Sequence, residues 1–479
     1  MTEDVKEEMF NVLQAKFGFD SFRPGQEEAV EAAVNGCHSL VMLPTGTGKT
    51  LCYQLPSYLK SGHTLIVTPL LSLMEDQVDN MKKNGEKSVV ALNSFMSYKE
   101  KKQTLKRLDD YKFIFTSPEM LQQNQVVERL KSLSVTLLVV DEAHCISHWG
   151  MDFRPDYLKL GEIRSVLGNP LTMALTATAV SKVRKEIISS LGIGSRLKEI
   201  VYSVDRPDIQ LRVMRVEKDK DTRLLEMVSQ LSGSGIVYFS SKKKADKIAA
   251  LIRSELNLTA ESYHSDLSPS DKRKTQSQFI HNRLQIICAT SAFGMGIDKA
   301  DIRFVIHYHL PSSPEMYLQE IGRCSRDGEG GMACLLYEAG DEYIQRRLQE
   351  DSLPTTDELA FAYKNEHKLK DFEDDHKAHL ASYFIKQRLS YTQANNLIQE
   401  RLDNKSSQLK TLIDYAQSTN CLRENLLNYF NESVEQRKHG CCSNCTKDLI
   451  VPFSETLKDA SQWSNEQNWY NQIKMLFNL

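Results

Sequence analysis

The sequence predicts an α/β chain: two parallel-sheet domains in series, then a mainly helical, metal-binding domain. Three observations carry that expectation. Short apolar runs alternate with polar helical stretches, and the series occurs twice, the rhythm of parallel sheets covered by helices on both faces. A glycine loop and a pair of adjacent carboxylates stand where two of these runs end, at the C-terminal strand ends where such sheets hold ligands. Beyond residue 341 the strand rhythm stops, and four cysteines lie close together between residues 421 and 445.

Composition sets the bounds. A length of 479 residues suggests about three domains. With 41% hydrophobic and 26% charged residues, the chain can bury substantial cores. The net charge of -3 carries no global basic signature, so any nucleic-acid surface must be a local groove. Residues Met1-Thr2-Glu3-Asp4-Val5-Lys6 form no apolar signal segment. No stretch approaches the ~18 uninterrupted apolar residues of a membrane span. Of ten cysteines, Cys421, Cys441, Cys442 and Cys445 cluster, which without a signal segment suggests metal rather than disulfides and a reducing cytoplasm.

Residues 1–36 are expected to be helical, with Met9, Phe10, Leu13 and Phe17 on one face. Within them, Phe17-Gly18-Phe19-Asp20-Ser21-Phe22-Arg23-Pro24-Gly25-Gln26 offers an aromatic, an arginine and a glutamine upstream of the glycine loop. The ring would stack on an adenine and the amide would pair with its N6/N7 edge; a packed helix–turn junction explains the residues equally well. Leu40-Val41-Met42-Leu43 then leads into Pro44-Thr45-Gly46-Thr47-Gly48-Lys49-Thr50. Successive backbone N–H groups in such a loop hold phosphates. Gly46 and Gly48 permit the close approach, Lys49 supplies a point charge, and the Thr50 hydroxyl is placed to ligate Mg2+. Where the usual pattern opens with glycine, this chain has Leu43.

Strands are expected at Thr64–Thr68, Val89–Asn93, Phe113–Thr116, Thr136–Val140 and Thr172–Leu175. The fourth ends in Asp141-Glu142-Ala143-His144. Asp141 suits Mg2+ and Glu142 suits polarising the attacking water, while His144 would link the nucleotide state to other motifs. Cys145 to Pro155 follows, with Trp149, Phe153 and Arg154. These aromatics would stack on unpaired bases, with Arg154 on a phosphate, or they fill the core.

Asp205-Arg206-Pro207 has the look of a linker. A second α/β series starts near Gly235 and includes the basic helix Lys242 to Arg253, strands at Leu284–Ala289 and Phe304–His307, and no second phosphate loop. It closes on Gln319-Glu320-Ile321-Gly322-Arg323-Cys324-Ser325-Arg326. Two arginines three apart on a helix would share a face and act as arginine fingers. At the end, Cys442-Ser443-Asn444-Cys445 with Cys421 upstream suits tetrahedral Zn2+; Cys441, His439 and Asp448 all remain open as the fourth ligand.

The chain resembles the RecQ family of ATP-dependent DNA helicases. The resemblance rests on Phe-Gly-Phe-x2-Phe-Arg-Pro-Gly-Gln at 17–26, on Asp-Glu-Ala-His-Cys-Ile-Ser-x-Trp-Gly-x-Asp-Phe-Arg-Pro at 141–155, and on Ala-Phe-Gly-Met-Gly-Ile-Asp at 292–298. It implies two RecA-like domains, at 1–205 and 206–340, a helical zinc-binding domain at 341–450 and a tail at 451–479. It implies movement 3′ to 5′ along single-stranded DNA and unwinding of tailed duplexes in recombination or repair. It assigns adenine to Phe19, Arg23 and Gln26, and the phosphates and Mg2+ to the 45–50 loop. Asp141 and Glu142 become the hydrolytic pair, Arg323 and Arg326 the γ-phosphate contacts with Gln319 nearby, and Trp149, Phe153 and Arg154 the DNA-coupling loop. DNA is expected at 69–72, 117–119 and 289–298. A monomer in the cytoplasm is expected, at the nucleoid in a bacterium, with single-stranded-DNA-binding or recombination proteins as partners.

Three departures stand out. Ser325 replaces a usual glycine, and Asp448 stands where a further cysteine is common. About 30 residues follow Cys445, against the ~100 of a further domain, so the winged-helix and helical C-terminal modules of many relatives are expected to be missing. Two other functions fit parts of the sequence: an RNA helicase of the DEAD/DEAH type, and a DNA-stimulated ATPase adaptor with little unwinding. The first leaves the Trp149 loop together with the cysteine knuckle unexplained, and the expected lack of a winged helix speaks for the second.

Overall fold

The computed structural model describes residues 3–69, 71–147, 154–294, 299–372, 375–434 and 440–446. Trp149, Phe153, His439, Asp448, Trp463 and Trp469 lie outside the described residues, as do residues 295–298 and the tail.

The first sheet takes the expected strands, including the run before the glycine loop, and adds one, β7. β1 (His38–Met42), β2 (His63–Val67), β3 (Val89–Leu92), β4 (Phe113–Thr116), β5 (Val135–Val140), β6 (Leu171–Thr176) and β7 (Leu197–Val201) lie in the order β3-β4-β2-β5-β6-β1-β7. Every pairing is parallel. The central strands are largely apolar because helices cover both faces: Leu138, Val139 and Val140 are all buried. β7 escapes an apolar-run search because it is an edge strand, with Lys198 and Glu199 exposed.

The second sheet holds β8 (Ile209–Arg215), β9 (Ser234–Tyr238), β10 (Ala260–Tyr263), β11 (Ile286–Ala289), β12 (Ile302–His307) and β13 (Gly331–Tyr337), in the order β10-β11-β9-β12-β13-β8. It too is parallel. Three strands, β8, β10 and β13, extend the sequence expectation. β8 alternates apolar and polar residues, as an edge strand does, and β13 is buried along its whole length.

At the N-terminus the helix Glu3–Val12 runs into a π turn at Leu13–Phe17 and stops at Gly18, whose φ is 71°. Met9 and Leu13 pack on Val30, Leu51 and Leu55. The C-terminal region is helical, as expected: Asp341–Asp351, Thr356–Lys364, His376–Lys386, Tyr391–Gln417 and Leu422–Tyr429. A capping box at Ser390 and Gln393 starts the 27-residue helix Tyr391–Gln417. That helix belongs to two cores. Ala394 and Ile398 pack with Leu359 and Phe384, whereas Leu409, Leu412 and Tyr415 join the core shared with the sheets and with Cys421, Cys441 and Cys442. The cysteine module is therefore stitched to the second sheet. Leu211 N–H donates to the Cys441 carbonyl at 3.3 Å, and Ser443 N–H donates to the Leu211 carbonyl at 2.9 Å.

Candidate nucleotide cleft and cysteine cluster

The phosphate loop emerges where β1 ends and the helix Lys49–Leu59 begins. Gly46 and Gly48 have φ of 85° and 77°, a region that side chains disfavour. Leu43 departs from the usual glycine because it is still part of the sheet. It is fully buried, its N–H donates to the Thr176 carbonyl at 3.2 Å, and its side chain fills the space beside Gly25. The loop is braced from upstream. Arg23 Nη1 donates to the Gly46 carbonyl at 2.7 Å. Gln26 Nε2 donates to the carbonyls of Thr47 at 2.7 Å and Gly48 at 3.1 Å, while its Oε1 accepts from Arg23 N–H at 2.9 Å. In this state the Gln26 amide fixes the loop, so pairing with a base edge requires both Nε2 bonds to open. Phe19 is 51% exposed and open to a stacking partner.

Lys49 Nζ donates to the Leu43 carbonyl at 3.1 Å, closing the loop on itself. Burial pushes its pKa down, against the pull of Glu142 and Asp141. Those carboxylates lie just beyond β5. Asp141 N–H continues the ladder to the Val67 carbonyl at 2.8 Å, and its side chain accepts from Glu142 N–H at 3.0 Å. Burial, then the neighbouring Glu142, pushes the Asp141 carboxyl well above the usual range. Glu142 takes a left-handed φ of 47°, and a 3-10 turn at Ala143–Ile146 follows. That turn brings His144 back: its Nδ1 lies 3.0 Å from Thr176 Oγ1 and 3.4 Å from Glu142 Oε2. A histidine thus joins the acidic pair to the end of β6. Thr50 sits in the first turn of the loop's helix.

The arginines do not lie on a helix face, as the spacing suggested. The helix Pro314–Ile321 ends at Gly322, and Ser325 adopts a φ of 53°, which breaks helical geometry. The turn that follows separates the two side chains. Arg326 reaches the first domain: its Cγ lies 2.7 Å from where a Cβ on Gly46 would stand. Arg323 is buried and donates from Nη1 to the Gly294 carbonyl inside the second domain. Gly322 itself meets the loop, since an added Cβ would lie 1.8 Å from Thr45 Oγ1. Gln319 is buried and lines the junction with Pro44 and Thr45. Arg154, at the far end of the aromatic loop, lies 3.8 Å from Glu119 across the domain.

The four cysteines converge. Their sulfurs all lie within 4.8 Å of one another, with Cys421 and Cys441 at 3.8 Å and Cys442 and Cys421 at 4.0 Å. Tetrahedral Zn2+ with Zn–S bonds near 2.3 Å needs sulfurs about 3.8 Å apart, so the set fits that ion. Among the described residues the four cysteines together supply a complete tetrahedral set of donors. Backbone N–H groups, Leu422 first, hold the Cys442 thiol below its usual pKa despite burial. Burial and the neighbouring thiols push Cys445 up to about 12 when no cation is present.

Known proteins match in the same order. A DEAD/DEAH box helicase domain matches residues 23–187, a helicase conserved C-terminal domain 219–328 and a RecQ zinc-binding domain 378–446. A probable ATP-dependent DNA helicase RecS of Bacillus subtilis is 40% identical over 97% of this chain and 96% of its own length. The chain belongs to the RecQ family of ATP-dependent DNA helicases. RecQ of Pasteurella multocida is 39% identical over 70% of this chain, but this chain matches only 53% of that relative's length. Among solved structures, the DUF1998 helicase MrfA bound to DNA aligns with a TM-score of 0.60 at 17% identity, over 73% of this chain and 54% of MrfA. Yeast Dbp5 bound to RNA aligns at 0.58 and 19% identity, over 72% of this chain and 90% of Dbp5. At such identities they support the two-domain fold alone. No helix among the described residues is long and apolar enough to cross a membrane.

Proposed function

We propose that this RecQ-family chain couples ATP hydrolysis to movement 3′ to 5′ along single-stranded DNA and unwinds tailed duplexes in recombination and repair. One observation carries the coupling: Arg326 of the second domain lies against Gly46 of the first domain's phosphate loop. A change at the phosphates is therefore felt by both domains, as domain closure requires.

Residues 1–205 bind the nucleotide, 206–340 supply the opposing cations, and 341–450 form the zinc-binding domain. Phe19 stacks on the adenine, with Arg23 and Gln26 beside it, and the 45–50 loop cradles the phosphates. Thr50 and Asp141 would hold Mg2+, which neutralises phosphate charge when bound. Glu142 accepts a proton from the attacking water, and His144 holds it against Thr176. Arg326 meets the charge that develops on the γ-phosphate, while Arg323 and Gln319 shape the turn that carries it. Cys421, Cys441, Cys442 and Cys445 hold Zn2+ as a structural ion. DNA crosses the strand ends at 69–72, 117–119 and 289–298, and Trp149, Phe153 and Arg154 report its presence to the acidic pair. The protein works as a cytoplasmic monomer, at the nucleoid in a bacterium, beside single-stranded-DNA-binding or recombination proteins.

The deciding experiment compares 3′-tailed and 5′-tailed duplexes with Mg2+-ATP, beside Lys49→Ala. Unwinding of the 3′-tailed duplex alone, lost in the variant, is expected. Unwinding from the 5′ tail reverses the polarity, and ATPase activity without unwinding makes the chain a DNA-stimulated ATPase instead. Loss of DNA stimulation in Trp149→Ala is expected, and normal stimulation would make that ring a packing residue.

A further inference from the structure

The chain between the sheets is held at nearly every residue. Tyr202 still belongs to the first sheet, its N–H donating to the Met42 carbonyl at 3.0 Å. The next residues are gripped by the cysteine module. Val204 N–H donates to Glu432 Oε2 at 3.1 Å, and Ser203 Oγ donates to the same carboxylate. Arg423, the second residue of the helix that follows Cys421, is buried and spans the rest. Its Nη1 donates to the Asp205 carboxylate and, at 3.0 Å, to the Arg206 carbonyl. Its Nη2 donates to the Ile209 carbonyl at 2.5 Å, and its Nε points to Cys441 Sγ at 3.4 Å.

The next guanidinium continues the path. Arg206 pairs with Asp208 at 2.7 Å. From there it donates to the Thr45 carbonyl of the phosphate loop at 3.3 Å. It also donates to the carbonyls of Gly322 at 3.3 Å, Cys324 at 3.2 Å and Ser325 at 2.6 Å, in the turn that presents Arg326. One side chain thus ties the loop to the turn.

An interdomain linker normally absorbs φ/ψ changes when domains close. Here its dihedrals are fixed by a third module. A buried cation is retained only when its donors are satisfied, and the Arg423 fork finds a carboxylate and backbone carbonyls, so its position is sharply defined. We propose that Arg423 and Arg206 are positioning residues for ATP hydrolysis: Arg423 transmits the placement of the cysteine module to the linker, and Arg206 sets the distance between the phosphate loop and the Arg326 turn. The proposal rests on the ATPase assigned above. It makes the cysteine module part of the nucleotide cleft's geometry without touching nucleotide.

The test uses the full chain with Asp205→Asn, Arg423→Lys and the double variant. Asp205→Asn keeps the side chain's shape and lies outside the cysteine module, so it decides even where Arg423→Lys folds poorly. Three quantities are read: zinc per chain, affinity for a fluorescent ATP analogue, and kcat and KM for ATP with saturating single-stranded DNA. Zinc and analogue affinity are expected within twofold of wild type in Asp205→Asn, with kcat reduced about tenfold or more, the scale of a small misplacement of reacting groups. The double variant is expected to fall no further than the worse single, because both changes cut one path. A kcat within twofold of wild type, losses that multiply in the double variant, or a kcat loss matched by loss of zinc each overturn the proposal. A wild-type chain that turns over no ATP overturns the ATPase assignment itself, whereas an active wild type with unaffected variants overturns the relay alone.

Discussion

The two α/β domains share a sheet plan and diverge at one strand end. After β1 the backbone passes through two glycines at positive φ before its helix begins. After β8, which holds the equivalent place in the second sheet, the chain reaches Asp219, and its carboxylate caps the helix Lys220–Ser229 by accepting from Thr222 N–H at 3.3 Å. A side chain occupies this helix start, whereas the helix after β1 has no side-chain cap. A capped helix start offers fewer N–H groups, so the second domain contributes charge through side chains, with Arg326 carried on a turn. In the function proposed above, the same fold yields a binding half and a responding half, and the difference lies at the start of one helix.

The sharpest test of that division is Lys49→Ala. ATP turnover is expected to fall about a thousandfold or more, with DNA affinity by fluorescence anisotropy nearly unchanged. Full turnover would remove the phosphate loop from the binding half. Next come the two arginines. Arg326→Ala is expected to lower kcat about a thousandfold at near-normal KM. Arg323→Ala should cost less, about tenfold, and lower the melting temperature, because its bond goes to Gly294 within its own domain. Equal losses of kcat in both variants would erase the distinction drawn between them.

Cys445→Ser tests the third region. Zinc affinity is expected to fall by more than the roughly 10–100-fold of an outer-sphere change. Metal analysis giving one zinc per chain in the variant would exclude Cys445 as a ligand. The smallest effect belongs to His309. Burial, with Lys220 and Lys244 nearby, pushes its pKa from 6.5 down to about 3, and its Nδ1 accepts from Ser240 N–H at 3.1 Å. The folded state holds this ring neutral, so stability is present above pH 6.5 and drains as pH falls toward 3. Denaturant melts at pH 7 and pH 5 should show the loss, and His309→Gln should flatten it. A variant with the wild-type slope would assign the pH dependence elsewhere.

Much of the fold was legible because parallel strands announce themselves as apolar runs, and the loop and the acidic pair stand where those runs end. β7 and β8 were hidden because edge strands carry charges that look like surface helix. The split between Arg323 and Arg326 was hidden for another reason. Helical spacing placed them together, but Gly322 and the left-handed Ser325 end the helix first, and only the turn decides where each side chain goes. Gln26 shows a third limit: its chemistry suits a base edge, yet here the nearest partners are the loop carbonyls. Spacing alone left Cys441, His439 and Asp448 open as the fourth metal ligand; tertiary structure brings Cys441 to the other three sulfurs, and the other two lie outside the described residues. Arg206 and Arg423 left no local signal, because apart from Asp208 and Cys441 their partners lie 116 to 218 residues away in the chain.

The bridge between Leu211 and Cys442 has a consequence for handling the protein. β8 is the last strand of its sheet, and an uncovered strand edge is a template for pairing with another copy of the chain. The knuckle covers part of that edge with its own backbone. Stripping the metal should therefore expose a sticky flank as well as loosening a module. Chelator-treated protein is expected to form concentration-dependent aggregates rich in intermolecular β-structure, so storage buffers for this enzyme should omit EDTA.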